Sequence, residues 1–400
     1  MSELYELPDG WEWKTLSDIF IIERGGSPRP IKDYITEDDD GINWIKIGDT
    51  VKGEKYIEST EQKIKPSGLK HSRLVTEGDF IMSNSMSFGR PYIVKTKGAI
   101  HDGWLLMREK LDNTDKDFFY YLLSSNYMYQ QFIEKASGTT VKNLNIGLVK
   151  TTNIPLPPLP EQQRIVSKLD LLFEKIDKSI ALHQKNMDEA NAFMGSVLND
   201  VFGELEEKYT KIPLFEVADV SRGKSKHRPR NDKRLFGGNY PFIQTGDVRN
   251  ADKYITTYTN TYSEFGLAQS KLWKKGTICM TIAANIGDVA ILNMDSCFPD
   301  SVVGLYSENN SNDYLYFFLQ TLKQHLESKA TTTAQMNINL KVLQTIGVPL
   351  PPLLIQEKTV KYLNEMYEKI EKIKQLQKEK MASLKALKAS ILDSAFRGEL

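Results

Sequence analysis

The chain has 400 residues, enough for two to four domains, and its 52 basic and 52 acidic residues leave a formal net charge of zero. That balance neither marks a polyanion binder nor argues against one. Cys279 and Cys297 are the only cysteines, so neither a disulfide framework nor a cysteine-rich zinc site is implied, which suits a reducing compartment. The N-terminus is polar and acidic, unlike a signal peptide. No apolar run approaches the roughly 18 residues of a membrane span, so the expected location is the cytoplasm, with no membrane partner.

Residues 1–155 read as a mixed globular domain. Residues 44–49 predict a short strand ending in a turn, 78–83 a turn entering a strand, and 88–94 a loop entering another. Residues 118–132, rich in aromatics and leucine, predict one short helix, and 136–140 form a polar loop. Pro155-Leu156-Pro157-Pro158-Leu159-Pro160 then opens a long helix from about Glu161 to about Phe202. Proline is favourable there, because φ is preset and its missing N–H is not needed. Glu161-Gln162-Gln163 places acid and amide beside the positive end of the dipole. Ile165, Leu169, Phe173, Ile176 and Ile180 recur at spacings of three and four, close to a coiled-coil seam.

A short linker at 203–211 leads into residues 209–349, which repeat the first layout. At an offset of 198, Ile45 falls on Ile243, Gly48-Asp49 on Gly246-Asp247, Gly78 on Gly276, Gly89 on Gly287 and Asp102 on Asp300. The offset is 194 from Leu144/Ile338 through Phe202/Phe396. Pro349-Leu350-Pro351-Pro352-Leu353 opens the second long helix, from about Gln356 to about Phe396, with a stripe of Leu363, Tyr367, Ile370, Ile373 and Leu384. Both helices close on serine, aliphatics, phenylalanine and Gly-Glu-Leu, and residues 7–16 read as the start of the unit that would follow. The chain is thus a tandem duplication of a unit of roughly 195 residues. About 40 residues at 1.5 Å each make a rod of roughly 60 Å. Neither rod can bury its stripe alone. The expected fold is α+β: two globular mixed domains separated by two long helices packed as an antiparallel coiled coil, with a pseudo-two-fold axis between the repeats.

Glycines, turn polars and strand hydrophobics agree between the copies, whereas loops differ. Arg24-Gly25-Gly26-Ser27-Pro28-Arg29 faces Arg222-Gly223-Lys224-Ser225-Lys226-His227, and Asn84-Ser85-Met86-Ser87 faces Ile282-Ala283-Ala284-Asn285. Two readers of different targets on one frame would look like this, and so would ordinary drift of surface loops. The sharpest local signal is the basic segment 222–234, which sets Arg222, Lys224, Lys226, Arg228, Arg230, Lys233 and Arg234 against the single acid Asp232. Such a block suits phosphate backbones, and arginine also reads guanine edges; a solvated loop is the plain alternative.

Patterns for catalytic chemistry are weaker. Gly223-Lys224-Ser225 fits a relaxed phosphate-loop pattern, but Lys226-His227-Arg228-Pro229-Arg230 is a poor start for the helix such a loop requires. Pro299-Asp300 with Glu327-Ser328-Lys329 mimics a metal-dependent nuclease, yet Asp102 matches Asp300 without the rest, which points to a structural turn. The Pro-Pro pairs are flanked by leucine, not by the polar residue and aromatic of a methyltransferase motif. The five histidines show no metal spacing.

The chain resembles the specificity subunit of type I restriction–modification systems. The resemblance rests on the alternation of domains and helices and on residues 154–166, from Ile154-Pro155-Leu156-Pro157-Pro158-Leu159-Pro160-Glu161-Gln162-Gln163 onward. It also rests on Val348-Pro349-Leu350-Pro351-Pro352-Leu353-Leu354-Ile355-Gln356-Glu357, on Leu7-Pro8-Asp9-Gly10-Trp11 and on the Gly-Glu-Leu endings. Leu354-Ile355 departs from the first junction's Pro160-Glu161. The resemblance implies target recognition domains at 1–155 and 206–349, with long helices at 156–205 and 350–400. Each domain would read one half of a bipartite, asymmetric sequence in double-stranded DNA. The helices would set the spacer and dock two methyltransferase subunits, and two restriction/translocase subunits would join them. The subunit itself would be non-catalytic and hold no cofactor or metal, with S-adenosylmethionine, ATP and magnesium on the partners. By loop position, the DNA contacts expected are Arg24, Ser27, Arg29, Lys46, Asn84, Arg90 and Thr139 in the first domain. In the second they are Arg222, Lys224, Lys226, Arg228, Gln244, Arg249, Asn285 and Thr332. A coiled-coil scaffold that reads no DNA, or a metal-dependent nuclease, is the alternative.

Overall fold

The chain is seen here as a computed structural model, which describes residues 5–51, 53–84, 89–111, 114–136, 144, 146–283, 286–323 and 340–400. It divides into two units, residues 1–183 with 379–400, and residues 184–378.

In the first unit a five-stranded sheet runs Phe20–Arg24, Trp104–Glu109, Phe80–Ser83, Pro91–Val94, Tyr56–Ile57. Its neighbours are antiparallel except the last pair, which is parallel. The central strands are buried on both faces and read as continuous apolar runs, which is why alternation in the sequence is weak here. A second five-stranded sheet holds Ile42–Ile45 beside Gly98–Ile100. The aromatic stretch forms two helices rather than the single one expected, Lys116–Ser124 and Asn126–Ala136. Ser125 separates them in an extended conformation, and its hydroxyl accepts from the Met128 N–H at 3.2 Å, starting the second helix.

The second unit repeats the first sheet in the same order: Asp219–Arg222, Val302–Tyr306, Ile278–Thr281, Val289–Leu292, Tyr254–Ile255. The duplication extends to single hydrogen bonds. Gly78 N–H donates to Val94 O and Gly276 N–H to Leu292 O, both at 2.8 Å, and both glycines have φ near +87°, at +88° and +86°. Glu12–Thr15 pairs with Asn153–Leu156 much as Lys211–Pro213 pairs with Gly347–Pro349.

The long helices span Leu159–Lys208 and Leu353–Ala395. The first therefore continues through the expected linker at Gly203, because Phe202 and Leu205 carry its buried stripe into the second domain's core and nothing crowds the glycine. The second stops at Ala395, where Gly398 turns the chain at φ +76°. In the first unit the start of the first helix packs on the end of the second, antiparallel. Arg164 donates to Leu400 O at 2.8 Å, and the Lys388 ammonium bonds the Asp177 carboxylate at 2.7 Å. Phe173, Ile176 and Ile180 share a core there with Leu384 and Ile391. In the second unit Met194, Val197 and Leu198 of the first helix share a core with Leu363, Tyr367 and Ile370 of the second. Ile165 and Leu169 are buried as well. Ile373, expected in the stripe, lies off it. It is 46% exposed, because the seam advances by strict threes and fours through Leu363, Tyr367, Ile370, Lys374, Gln377, Met381 and Leu384, one position to its side.

Each globular domain is fastened to a helix by matching side chains. Gln162 and Gln356, buried in the first turns, each donate to a proline carbonyl, Pro157 and Pro351, at 2.9 Å. Each accepts a backbone N–H from the domain, Asp115 at 2.9 Å and Ser311 at 3.0 Å. A lysine inside an aromatic cage recurs too. Lys55 bonds Asp117 beside Tyr120 and Tyr121, and Lys253 bonds Asp313 at 2.5 Å beside Tyr316 and Phe317. Tyr121 reaches Asp170 on the first helix, and Lys253 reaches Asn364, its counterpart at offset 194, at 2.8 Å.

Candidate nucleic-acid interface

The arginine-rich loops leave the sheet in the same way in both domains. Gly25 N–H donates to Trp104 O and Gly223 N–H to Val302 O, both at 2.9 Å. Gly26 and Lys224 then donate to Ile100 O and Phe298 O, both at 3.1 Å. The loop lies so close to the facing backbone that only glycine fits. A Cβ on Gly25 would stand 2.1 Å from His101 O, and one on Gly223 2.3 Å from Pro299 O. The frame is thus identical while the side chains it presents differ.

In the first domain this loop converges on Asp102. Ser27 Oγ donates to its carboxylate at 2.7 Å, Arg29 Nη2 lies 3.5 Å from the other oxygen, and the Asp102 backbone carbonyl accepts from Arg24 Nε at 3.0 Å and Asn84 Nδ2 at 2.9 Å. The Ser27 hydrogen bond holds the Asp102 carboxyl below its usual range, against partial burial. His101 Nδ1 accepts from Gly103 N–H at 2.8 Å and fixes the turn. Burial lowers the His101 pKa, only partly opposed by Asp102. Lys46 lines the same cleft, with Trp44, His101 and Asp102, and pairs with Glu61 at 3.3 Å. Four of the expected contacts, Arg24, Ser27, Arg29 and Asn84, therefore meet on one aspartate, with Lys46 beside them. Arg90 is placed elsewhere, in a cleft with Tyr120, Tyr129 and Leu392. Thr139 lies outside the described residues.

In the second domain the basic segment is a loop from Gly223 to Asp232 whose lysines and arginines are exposed, with no helix following the glycine, so a phosphate-loop geometry is not formed. It is braced from within. Arg228 donates to Ser225 O and His227 O at 2.6 and 2.9 Å. Asp232 accepts from Arg234 and His227 at 2.7 and 2.8 Å, and the Arg234 hydrogen bonds drive its carboxyl far below the usual range. Arg230 Nη2 contacts both oxygens of Asp300, at 3.0 and 2.9 Å. Asp300 is thus the acceptor for a loop arginine, as Asp102 is, and Glu327 and Lys329 of the nuclease-like pattern lie outside the described residues. Arg222 ends its strand, exposed. The side chains of Lys224, Lys226 and Lys233 are exposed and make no ion pair with the described residues. Gln244 sits just before a short helix, Thr245–Asn250, and accepts from Asn260 at 3.0 Å, while Arg249 lies in the last turn of that helix in a cleft with Tyr316 and Tyr367. Asn285 and Thr332 lie outside the described residues.

Sequence reasoning missed the pairing of Arg230 with Asp300 and the place of Asp102 at the focus of its loop. The signal is the match of the two aspartates at offset 198, which in the sequence alone reads as a shared turn. Among the described residues no group of three His, Cys, Asp or Glu could hold a metal ion, and no helix is long and apolar enough to cross a membrane.

The fold and these loops define a tandem protein, two copies of one β-rich frame carrying different cationic loops, joined by two antiparallel helices. The model of the type I restriction modification DNA specificity domain matches it twice, at residues 8–190 and 206–380. The chain belongs to this family: it is a specificity subunit of a type I restriction–modification system, and its role is DNA target recognition. It is 27% identical to the putative type I restriction enzyme MjaX specificity subunit of Methanocaldococcus jannaschii, over 96% of this chain and 93% of the relative. It is 22% identical to the type I restriction enzyme EcoKI specificity subunit of Escherichia coli K12, over 99% and 90%. In fold it is similar to a chain solved in a study of complex assembly and conformational transition of the type I R-M system, with TM-score 0.72, 24% identity, and 99% and 100% of the two chains covered. It is also similar to the HsdS subunit of Thermoanaerobacter tengcongensis, with TM-score 0.53, 24% identity, and 99% of each chain covered.

Proposed function

We propose that this subunit reads a bipartite, asymmetric sequence in duplex DNA, one half-site per globular domain, and is itself non-catalytic. One observation carries the reading: the duplicated Gly25 and Gly223 frames present unlike side chains on like hydrogen bonds. A single target read twice would need like side chains, whereas two unlike half-sites need a shared frame with different loops. Lys224, Lys226 and Lys233 supply the phosphate contacts that position a reader, and arginines supply base contacts. Two methyltransferase subunits dock on the long helices, and two restriction/translocase subunits complete the assembly. S-adenosylmethionine, ATP and magnesium belong to those partners. The helices act as the ruler between half-sites, so a change of one helical turn alters the unread spacer. The whole assembly works in the cytoplasm.

Methylome sequencing tests this reading. Cells expressing this chain with its methyltransferase subunit are compared with cells lacking the chain. The expected result is methyladenine on both strands of a split asymmetric motif, only when the chain is present. An intact, assembled methyltransferase that shows no motif dependent on this chain would shift the reading to a scaffold.

A further inference from the structure

We propose that Asp102 and Asp300 are positioning residues for base readout, each holding one loop arginine, Arg29 or Arg230, with a fork of N–H donors turned out toward a guanine edge. The inference rests on the DNA-reading function proposed above and names how one contact in each domain gains its specificity.

Three observations carry it. The first is recurrence. The two aspartates occupy equivalent places, and the loops facing them have otherwise diverged, yet each sends a guanidinium to the carboxylate. The two arginines do not occupy the same alignment position, since Arg29 faces His227 in the repeat. The pairing has therefore been reached along different loop sequences. The second is what the pair leaves open. Arg230 uses only Nη2, so Nε and Nη1 make no bond to a described residue, and the guanidinium is half exposed. Arg29 is bonded through Nη2 alone and is more exposed still. A planar fork with one nitrogen anchored is oriented before binding and loses less freedom on contact.

The third is charge. An arginine beside a carboxylate attracts phosphate poorly, because the pair is close to neutral and the carboxylate repels the backbone. The same fork remains a good donor to the neutral acceptors O6 and N7 of guanine. The neighbouring lysines, without ion-pair partners among the described residues, are better placed by charge for phosphate. The second loop thus divides its cations between backbone and base contacts. An exposed ion pair adds little to stability, so positioning is the more economical role.

The test uses the full chain assembled with its partner subunits. Asp300→Asn and Asp102→Asn keep the side-chain size and remove the charge that anchors the arginine. Methylome sequencing should show Asp300→Asn relaxing preference at one guanine position of one half-site by about tenfold, the scale of a bidentate contact, while the other half-site stays unchanged. Asp102→Asn should do the same in the other half-site. Asp300→Glu, which keeps the charge, should restore part of the preference, and a role in folding alone would not give that position-specific pattern. A uniform loss of methylation at every site, or tighter non-specific binding with unchanged base preference, would overturn the assignment. A wild-type complex without a chain-dependent motif would instead sink the reading on which it rests.

Discussion

At Gly25 and Gly223 a single methyl group decides whether the glycine-framed loop can form. Gly25→Ala drives a Cβ into the His101 carbonyl and Gly223→Ala drives one into Pro299, and neither obstacle is a flexible side chain that could move aside. Each change should cost about 1–3 kcal/mol and abolish recognition of one half-site only. Denaturation midpoints and methylomes of the two variants check this, and equal loss at both half-sites would contradict it. His101 gives the first loop a pH dependence. Its folded pKa lies below the ordinary 6.5, so the unfolded chain takes up the proton first as pH falls. The contribution of neutral His101 is therefore complete above about 6.5 and is lost as pH falls through the lowered folded value. Protonation also removes the acceptor for Gly103 N–H. The melting temperature should fall more between pH 7.5 and 5.5 in the native chain than in His101→Asn, whose amide oxygen accepts at both pH values. Parallel pH profiles would remove His101 from the account. The sequence made the glycines and the basic loop legible, because glycine at a close approach and lysine on a loop act through local chemistry. It did not reveal that Arg230 meets Asp300, since 70 residues separate them and only the folded sheet brings them together.

The long helices were the most legible elements, because proline entry, three-four spacing and internal repetition all point the same way. Two details were hidden. Gly203 reads as a stop, but Phe202 and Leu205 are anchored in a core and hold the helix through it. Ile373 reads as a seam residue, but the strict repeat passes through Lys374, whose stem is half-buried while its ammonium pairs with Glu371 at 2.6 Å. Leu363→Ala should therefore cost about 2–5 kcal/mol, and Ile373→Lys should change stability by no more than about 0.5 kcal/mol. Comparable losses from both would place Ile373 in the seam after all. Lys253 ties its domain to the helix through Asn364, whereas beside Lys55 it is Tyr121 that reaches Asp170. Burial favours neutral Lys55, yet the Asp117 carboxylate outweighs it and raises its pKa, so the pair stays charged. Lys253→Met strips Asp313 and Asn364 of their shared donor and should cost about 1–3 kcal/mol, read as a lower denaturation midpoint. An unchanged midpoint would mean that the cage is filled but not needed.

At the scale of the whole chain, duplication is the organising fact. Each repeat supplies a sheet of the same strand order, a glutamine at the head of a helix, and a glycine-framed loop. The helix that follows one domain ends in the core of the other unit: Phe202 packs on Tyr314 and Phe318, and Phe396 on Phe118. A domain is therefore bounded by matching junctions, the Glu12–Thr15 and Asn153–Leu156 pair or the Lys211–Pro213 and Gly347–Pro349 pair. Exchange at such junctions should leave the frame intact and change only what is read. The most direct test replaces residues 211–349 with the equivalent domain of a family member that has a different target, then sequences the methylome of cells carrying the hybrid and its methyltransferase. The expected motif has one new half-site and one retained half-site. A hybrid that assembles and methylates yet keeps both original half-sites, or changes both, would contradict it.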